Sequence, residues 1–96
     1  MRVMAKVEVP VESGNQGIRS GALPKVIRQF AERWKPEAMY FGAPEGRRAA
    51  FVVFDVSGPS DLIPFSEPWF QELNADVEII PVISGDDMQK GFAKLG

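Results

Sequence analysis

Apolar residues form an unbroken run at the centre of the chain, from Ala49 to Phe54. Within the wider segment Arg47–Val56, alternate positions divide into two sets: Ala49, Phe51 and Val53 in one, and Ala50, Val52, Phe54 and Val56 in the other. Successive side chains of a β-strand point to opposite faces, so a strand here would be apolar on both faces. A strand with one wet face alternates apolar and polar residues instead. The pattern therefore predicts a central strand over Arg47–Val56 that is covered on both faces.

The period of an α-helix runs through Leu23–Lys35. Its apolar residues recur at the spacing of one helix face: Leu23, Val26, Ile27, Phe30, Ala31 and Trp34. Pro24 suits the first turn of such a helix, where no backbone hydrogen bond is lost, and Pro36 ends it. The preceding segment Val11–Gly21 is rich in glycine and serine. It is predicted to be a loop, with at most a short helical turn around Gln16–Arg19.

A second long helix is predicted in the C-terminal half. It begins after Ser57-Gly58-Pro59, which offer a cap and a proline for the first turn, and it ends at Asn74 or Ala75. Pro64 and Pro68 each remove a backbone hydrogen bond from the helix interior. We therefore expect this helix to be kinked or split near Phe65–Glu67.

The remaining patterns predict three more strands and a short last helix. The strands are Arg2–Val9, Ala38–Gly42 and Asp76–Val82. Ser84-Gly85-Asp86-Asp87 resembles a capping box with acids in the first turn, and it predicts a helix to about Lys94. The thin apolar stripe of that helix consists of Met88, Phe92 and Leu95.

The predicted order is β-α-β-β-α-β with an additional C-terminal helix, all within a single domain, residues 1–96. This order is that of the ferredoxin-like α+β fold. Its four-stranded antiparallel sheet has the strand order 4-1-3-2. That order places the strand Arg47–Val56 in the middle of the sheet, in agreement with its two apolar faces.

Both helices of this fold pack on one side of the sheet, so the other side would carry an exposed apolar patch. Assigning the all-apolar strand faces to the helices leaves the following residues on that side: Met4, Lys6, Glu8, Ala49, Phe51, Val53, Glu78, Ile80, and either Tyr40 or Met39 and Phe41. Exposed apolar patches usually mark interaction sites. Two coverings are considered: an identical subunit stacked sheet on sheet, or RNA.

The RNA alternative is tested by a signature, K/R-G-F/Y-G/A-F-V-x-F/Y, on the third strand of RNA-recognition motif domains. Arg47 and the residues Ala50, Phe51, Val52 and Phe54 match it. Ala49 stands where the first base-stacking aromatic residue belongs, and the first strand offers no aromatic residue. The matching residues are also what any buried strand uses. We therefore expect no nucleic-acid partner.

Composition narrows the function classes. Thirteen acidic and eleven basic residues give a net charge of −2, which argues against a nucleic-acid or anionic-membrane partner. The chain has no cysteine and no histidine. This excludes disulfides and thiolate chemistry, and it removes the commonest general base and the commonest metal ligands. The N-terminus lacks the apolar core of a signal peptide, and no apolar run is long enough for a membrane span. We expect a soluble cytoplasmic protein with no cofactor.

The element order, with an identical subunit as the cover, resembles the dimeric α+β barrel superfamily. Small uncharacterised bacterial members are similar in three motifs: Lys35-Pro36-Glu37 before the second strand, Glu67-Pro68-Trp69-Phe70 followed by Asn74, and Pro81-Val82 at a strand end. The resemblance implies a homodimer that pairs sheet to sheet. Characterised members of the superfamily include cofactor-independent monooxygenases, isomerases and haem-degrading enzymes, several of which use a histidine.

Three charged residues of the open side form the leading candidate site. If the first and last strands pair, Lys6, Glu8 and Glu78 would lie together in an apolar cavity. A carboxylate there would have a raised pKa and would be able to move protons, so Glu8 and Glu78 are the candidate catalytic residues. The alternative is a cross-strand ion pair between Lys6 and Glu78, or charges at a wet rim.

Further residues are candidates for ligand binding. Tyr40, Phe51 and Trp69 would line a pocket, although a role in core packing also explains Trp69. Arg47 and Arg48 would hold a carboxylate or phosphate, or else are solvated charges at a sheet edge.

Two other segments contain residues that would suit a binding site. The glycines around Arg19 and Ser20 would form a phosphate-binding loop or a mobile lid, but their spacing matches no phosphate-binding motif. Asp86 and Asp87 are better explained as helix-end charges than as magnesium ligands, so no metal site is predicted.

Two functions follow from these sites. The first is a homodimeric α+β-barrel protein that binds a small, partly apolar molecule. Its chemistry would be cofactor-independent proton transfer, isomerase or monooxygenase-like, using Glu8 or Glu78 with Tyr40 positioning the ligand. The second is a non-catalytic interaction or regulatory module with a closed dimer interface. The sequence does not decide between an enzyme and a binding protein.

Overall fold

The computed structural model describes all residues, Met1–Gly96, and contains one antiparallel sheet with three of its four helices packed on one face. The strands are β1 (Arg2–Val9), β2 (Ala38–Gly42), β3 (Arg48–Asp55) and β4 (Asp76–Pro81), and the helices are α1 (Val11–Ser20), α2 (Ala22–Trp34), α3 (Leu62–Leu73) and α4 (Gly85–Ala93). The strand order is β2-β3-β1-β4. Read from the other edge, this is the predicted order 4-1-3-2, so the ferredoxin-like α+β fold class is confirmed.

The strand β3 lies in the interior of the sheet, paired with β1 on one side and β2 on the other. On the helix side its Val52 and Phe54 are fully buried. Phe54 stacks on Phe65 of α3 with ring centroids 4.5 Å apart, and meets Phe30 of α2 edge-on at 5.7 Å. Burial of each such side chain stabilises the fold by roughly 1.5–3 kcal/mol. The prediction that the strand face with Val52 and Phe54 packs against the chain's own helices is confirmed.

The segment predicted to be a loop, Val11–Gly21, is instead the helix α1, so that prediction was wrong. Its two buried residues are Gly14 and Gly17. A Cβ on Gly14 would lie 2.6 Å from the Arg48 guanidinium, and one on Gly17 would lie 2.7 Å from a methyl group of Leu73. Each glycine costs a helix about 1 kcal/mol in intrinsic propensity. Here their small size lets α1 approach β3 and α3 closely, and tertiary packing overrides the propensity.

The helix α3 is a single helix over Leu62–Leu73, so the expected split near Phe65–Glu67 is not found. A separate 3₁₀ turn, Pro59–Asp61, leads into it. Pro64 is the third residue of α3, where the backbone N–H has no partner within the helix in any case. Only Pro68 lies in the interior. Asn74 ends the helix, one of the two positions predicted, and it adopts the left-handed conformation.

The predicted capping box at the start of α4 is confirmed. The Asp87 backbone N–H donates to Ser84 Oγ at 3.1 Å, and the Ser84 N–H donates to the Asp87 carboxylate at 3.3 Å. No residue of α4 is buried. The molecule is elongated, with extents of 55, 27 and 17 Å and a radius of gyration of 15.2 Å. A compact chain of this length has a radius of about 12.5 Å.

None of the helices combines the length and the apolar character that crossing a bilayer requires.

Candidate functional site

The strand register defines the face of the sheet that the helices leave uncovered. Tyr40 lies opposite Phe51, Phe51 opposite Lys6, and Lys6 opposite Glu78, so these four residues form one row across the sheet. The neighbouring rows add Ala38, Val53, Met4 and Ile80 on one side, and Gly42, Ala49, Glu8 and Asp76 on the other. These twelve positions are called the open face below. Of the two sets considered for β2, the open face therefore contains Tyr40, while Met39 and Phe41 belong to the helix side.

A shallow cavity of about 120 Å³ lies in the open face. Its lining residues are Met4, Lys6, Phe51, Glu78 and Ile80. Three apolar side chains thus form the cavity together with one ammonium and one carboxylate group. Pockets that enclose small ligands are typically 300–1,000 Å³, so this cavity is too small and too open to enclose such a ligand by itself.

Glu8 is fixed by two cations beside this cavity. Arg47 Nη1 donates to Glu8 Oε1 at 3.2 Å, and Lys6 Nζ lies 3.6 Å from Glu8 Oε2. The Glu8 side chain is only 15% exposed. Lys6 therefore pairs along its own strand with Glu8, and the cross-strand ion pair with Glu78 is not formed. Arg47 is part of this group and is not an isolated solvated charge.

Glu78 differs from Glu8 in having no ion-pair partner within the chain. Its residue is exposed, and it lines the cavity directly opposite Lys6. Of the two candidate catalytic residues, Glu78 is therefore the one whose carboxylate is not held by a cation of the chain.

The other predicted ligand-binding residues lie at different distances from this cavity. Phe51 is in its lining, and Tyr40 is beside Phe51 in the same row, with 71% of its surface exposed. Trp69 is buried in the core on the helix side, where its ring lies 6.0 Å from that of Phe30. The structure therefore brings together Lys6, Phe51, Glu78 and Tyr40, and separates Trp69 from them by the sheet.

Arg47 and Arg48 do not act as one anion-binding pair. Arg47 reaches Glu8 on the open face, whereas Arg48 Nη2 donates to Asn15 Oδ1 in α1 at 3.0 Å. The alternation of side chains along a strand sends the two guanidinium groups to opposite faces of the sheet. Arg48 thus anchors α1.

The proposed glycine-rich loop around Arg19 and Ser20 does not exist, because those residues belong to α1. Gly14 and Gly17 allow α1 to pack closely against Arg48 and Leu73, as described above. No group of three or more acidic side chains is arranged to hold a metal ion.

The structure contains one charged cluster that the sequence did not predict. Arg2 Nε donates a hydrogen bond to Glu37, and Arg2 Nη1 lies 3.8 Å from Asp87 Oδ2. The hydrogen bond to Glu37, together with the nearby negative charge, raises the pKa of Arg2 above its ordinary value. Hydrogen bonds with Ser84, assisted by Lys90 and Arg2, lower the pKa of Asp87. The three residues Arg2, Glu37 and Asp87 are far apart in sequence, and no local pattern predicts that they meet.

Other depressions lie on the helix side. A groove of about 410 Å³ runs between α2 and α3, and one of about 440 Å³ lies between α1 and α3. An apolar pocket of about 170 Å³ lies between α2 and the β2 edge, where Leu23, Ile27 and Phe41 contribute. None of them brings together the charged residues of the candidate site.

No protein-family model matches this sequence, and no match is found among curated proteins.

Proposed function

We propose that this chain is one subunit of a homodimeric α+β barrel that binds a small, partly apolar molecule between two stacked sheets. The observation that carries this proposal is the cavity lined by Met4, Phe51, Ile80, Lys6 and Glu78. It combines apolar walls with one cation and one free carboxylate. That combination suits a ligand with an apolar body and one polar group.

The apolar rows of the open face support the pairing of two copies. Phe51, Val53 and Met4 are half-buried, and Ile80 and Tyr40 are exposed, although all five lie on one continuous surface. A second copy would remove these side chains from water, at about 25 cal/mol per Å² of apolar surface. It would also supply the second wall that the cavity lacks.

Charge selects one of two ways to stack the sheets. With the two-fold axis across the strands, β4 would face β4 of the partner. The carboxylates of Asp76 and Glu78 would then lie opposite the same two carboxylates of the other copy. With the axis along the strands, β4 faces the partner's β2, which carries no charge on the open face. Like charges placed opposite each other are destabilising. We therefore favour the second arrangement, in which Glu78 approaches the partner's Tyr40.

The chemistry that this arrangement supports is proton transfer without a cofactor. Glu78 would take a proton from a carbon next to the ligand's carbonyl group, and Lys6 would stabilise the negative charge that develops on the carbonyl oxygen. Return of the proton from Glu78 to another carbon completes an isomerisation. The tyrosine hydroxyl would position the ligand by a hydrogen bond.

The size of the cavity also favours a second candidate, a non-catalytic module with a closed interface. A volume of about 120 Å³ is small enough for a side chain of the partner to fill it. In that case the open face is an interaction surface and nothing else. The two candidates share the dimer and differ in whether a ligand enters.

Binding of small ketones and aromatic acids, followed by NMR chemical shifts, tests the proposal. The ligand-binding candidate predicts shifts at Met4, Phe51 and Ile80 that weaken in Glu78→Gln. Glu32→Gln, the same change on the exposed side of α2, should leave them unaltered. A dimer whose open-face chemical shifts do not change with any of these compounds at millimolar concentration would contradict ligand binding and favour the closed interface.

A further inference from the structure

The space between α2 and the sheet is filled at one end and empty at the other. In the second half of α2, Phe30 meets Phe54 of β3 with ring centroids 5.7 Å apart. In the first half, Leu23 and Ile27 are only partly buried against the core. The residue of β3 that shares their pocket is Ala50, whose side chain is too small to fill the space. The apolar pocket of about 170 Å³ described above is the gap that remains.

This gap is called the helix-side pocket below. Apolar side chains of the sheet and of two helices line it, among them Val7, Ile27 and Trp69, and Arg48 is its only charged residue. It opens at the β2 edge, where the lining residue Phe41 is 58% exposed. Since an apolar cavity of about 150 Å³ accommodates benzene, the helix-side pocket has room for an apolar body of about six carbon atoms.

Arg48 brings a positive charge to this pocket that no carboxylate of the chain neutralises. Of the two half-buried arginines, Arg2 pairs with carboxylates and Arg48 with none. The Arg48 guanidinium donates only to neutral oxygens, the Val11 carbonyl at 3.5 Å and Asn15 Oδ1 at 3.0 Å. A guanidinium has five N–H donors, so some of them are left without an acceptor in the chain. Two parallel hydrogen bonds to a carboxylate are the pairing that suits them best.

Packing of α1 on the sheet does not by itself explain this charge. A Cβ on Gly14 would lie 2.6 Å from Arg48 Nη1, so the guanidinium occupies the place of a side chain of α1. Replacing a hydrogen-bonded pair by apolar groups of the same shape is often nearly neutral or stabilising. An apolar residue at position 48 facing a larger residue of α1 would therefore hold that helix as well. The positive charge needs a further explanation.

We propose that the helix-side pocket binds a small free carboxylate with an apolar body of about six carbon atoms, such as hexanoate. The carboxylate accepts hydrogen bonds from Arg48, and the hydrocarbon chain lies against Leu23 and Ile27. This site goes beyond the proposed function and does not depend on it. The helix-side pocket and the cavity of the open face have no lining residue in common, and the sheet separates them.

NMR titration of the full-length protein with hexanoate and with hexanol tests this inference, because the two probes differ only in the charged group. Hexanoate should shift the methyl signals of Leu23 and Ile27. Arg48→Gln should weaken hexanoate binding about 10- to 100-fold, as expected for loss of a hydrogen bond to a charged group, and should leave hexanol binding within about threefold. Arg28→Gln, the same change on the exposed side of α2, should leave both within about threefold.

A second measurement uses the wild-type protein, because Arg48→Gln also removes the hydrogen bonds to α1. The Arg48 Nε–H signal should shift with hexanoate at the same dissociation constant as the methyl signals of Ile27, and it should not follow hexanol. Isotope-filtered NOEs should connect the terminal methyl group of bound hexanoate to Ile27 or Trp69. An Arg48 signal that does not respond while hexanoate binds would overturn the inference.

The remaining outcomes distinguish this site from the open face. Hexanoate shifts confined to Met4 and Ile80 would overturn the inference and favour a ligand in the open face. Equal affinity for hexanoate and hexanol, or equal weakening of both by Arg48→Gln, would also contradict it, because the pocket would then recognise no carboxylate. So would the absence of shifts at Leu23 and Ile27 at about 10 mM hexanoate, roughly ten times a millimolar dissociation constant. Shifts at Leu23 and Ile27 without any on the open face would support the helix-side pocket and count only against the proposed function.

Discussion

The two faces of the sheet use the same central strand in different ways. On the helix side, Phe54 lies within an aromatic cluster with Phe30 and Phe65, and no charged residue intervenes. On the open face, Phe51 is only half-buried, although the residues directly before and after it in β3 are buried. The charged residues Lys6 and Glu78 line the same cavity as Phe51. One face is completed by the chain itself. The other has apolar residues that remain in contact with water and charges that a folding core does not need.

This difference indicates where function is to be sought. A core made only of apolar side chains stabilises the fold, and its residues need no other explanation. A half-covered apolar surface that also contains a free carboxylate calls for a partner or a ligand. Replacing residues on the two faces should therefore affect two different quantities, stability on the helix side and association on the open face.

The largest expected effect is on the helix side. Phe54→Ala removes a buried ring from the cluster with Phe30 and Phe65, and should lower the free energy of unfolding by about 3–5 kcal/mol. Urea unfolding followed by circular dichroism measures it, under conditions in which the association state is the same for both proteins. A loss below about 1 kcal/mol would show that the cluster is not the core of the fold.

The matching change on the open face should affect association. Phe51→Lys places a charge in the proposed interface of each copy, and we expect the dimer dissociation constant to rise at least about 100-fold, or roughly 2.7 kcal/mol. Phe70→Lys, on the exposed side of α3, is the control and should leave association unchanged. Sedimentation velocity over a concentration series gives both values. Equal effects of the two substitutions would remove the distinction between the open face and the rest of the surface.

A smaller effect concerns close packing on the helix side. Gly17→Ala brings a methyl group to about the 2.7 Å separation described for Leu73, and overpacking of this kind typically costs about 1–3 kcal/mol. Gly91→Ala in α4 meets nothing within 4 Å and should instead stabilise its helix by about 0.5–1 kcal/mol. Thermal unfolding of the two variants compares them directly. Stabilisation by Gly17→Ala would mean that α1 is not closely packed against α3.

The smallest effect is a pH dependence at the rim of the open face. Because the pKa of Asp87 is lowered in the folded chain, its contribution to stability is present above the pKa of the unfolded state, about 3.9, and is lost as pH falls below it. The start of α4 should therefore fray in acid. Amide exchange at Met88 and Gln89 measures the fraying, and Asp87→Asn should make it independent of pH in that range. An unchanged pH dependence in this variant would assign it to another group.

The sequence predicts the two central strands of the sheet well because each satisfies a simple rule. The alternation in Arg2–Val9 predicts which of its residues face the helices, and the doubly apolar Arg47–Val56 predicts a central position in the sheet. The observed burial and strand order agree with both. The sequence-based prediction fails at α1, because a glycine-rich segment is read as a loop when its packing partners are unknown. Arg48 and Leu73, which make those glycines useful, are distant in sequence.

The candidate site could be predicted in part for the same reason. Alternation along the strands places Lys6, Phe51 and Glu78 on one face, and the observed register then makes them neighbours. Alternation does not reveal that Lys6 turns to Glu8, or that Arg47 completes that pair, since those choices depend on side-chain rotamers. The cluster of Arg2, Glu37 and Asp87 depends on the end of one strand meeting the starts of β2 and α4, which no local pattern encodes.

The central claim is that a second copy of the chain covers Phe51 and its neighbours on the open face. The most direct measurement is an isotope-filtered NOE experiment on a mixture of labelled and unlabelled chains, which detects only contacts between copies. We predict intermolecular NOEs from Phe51 and Val53 to open-face protons of the other copy. A dimer that shows NOEs elsewhere but none to these side chains, or a chain without intermolecular NOEs at millimolar concentration, would contradict the account.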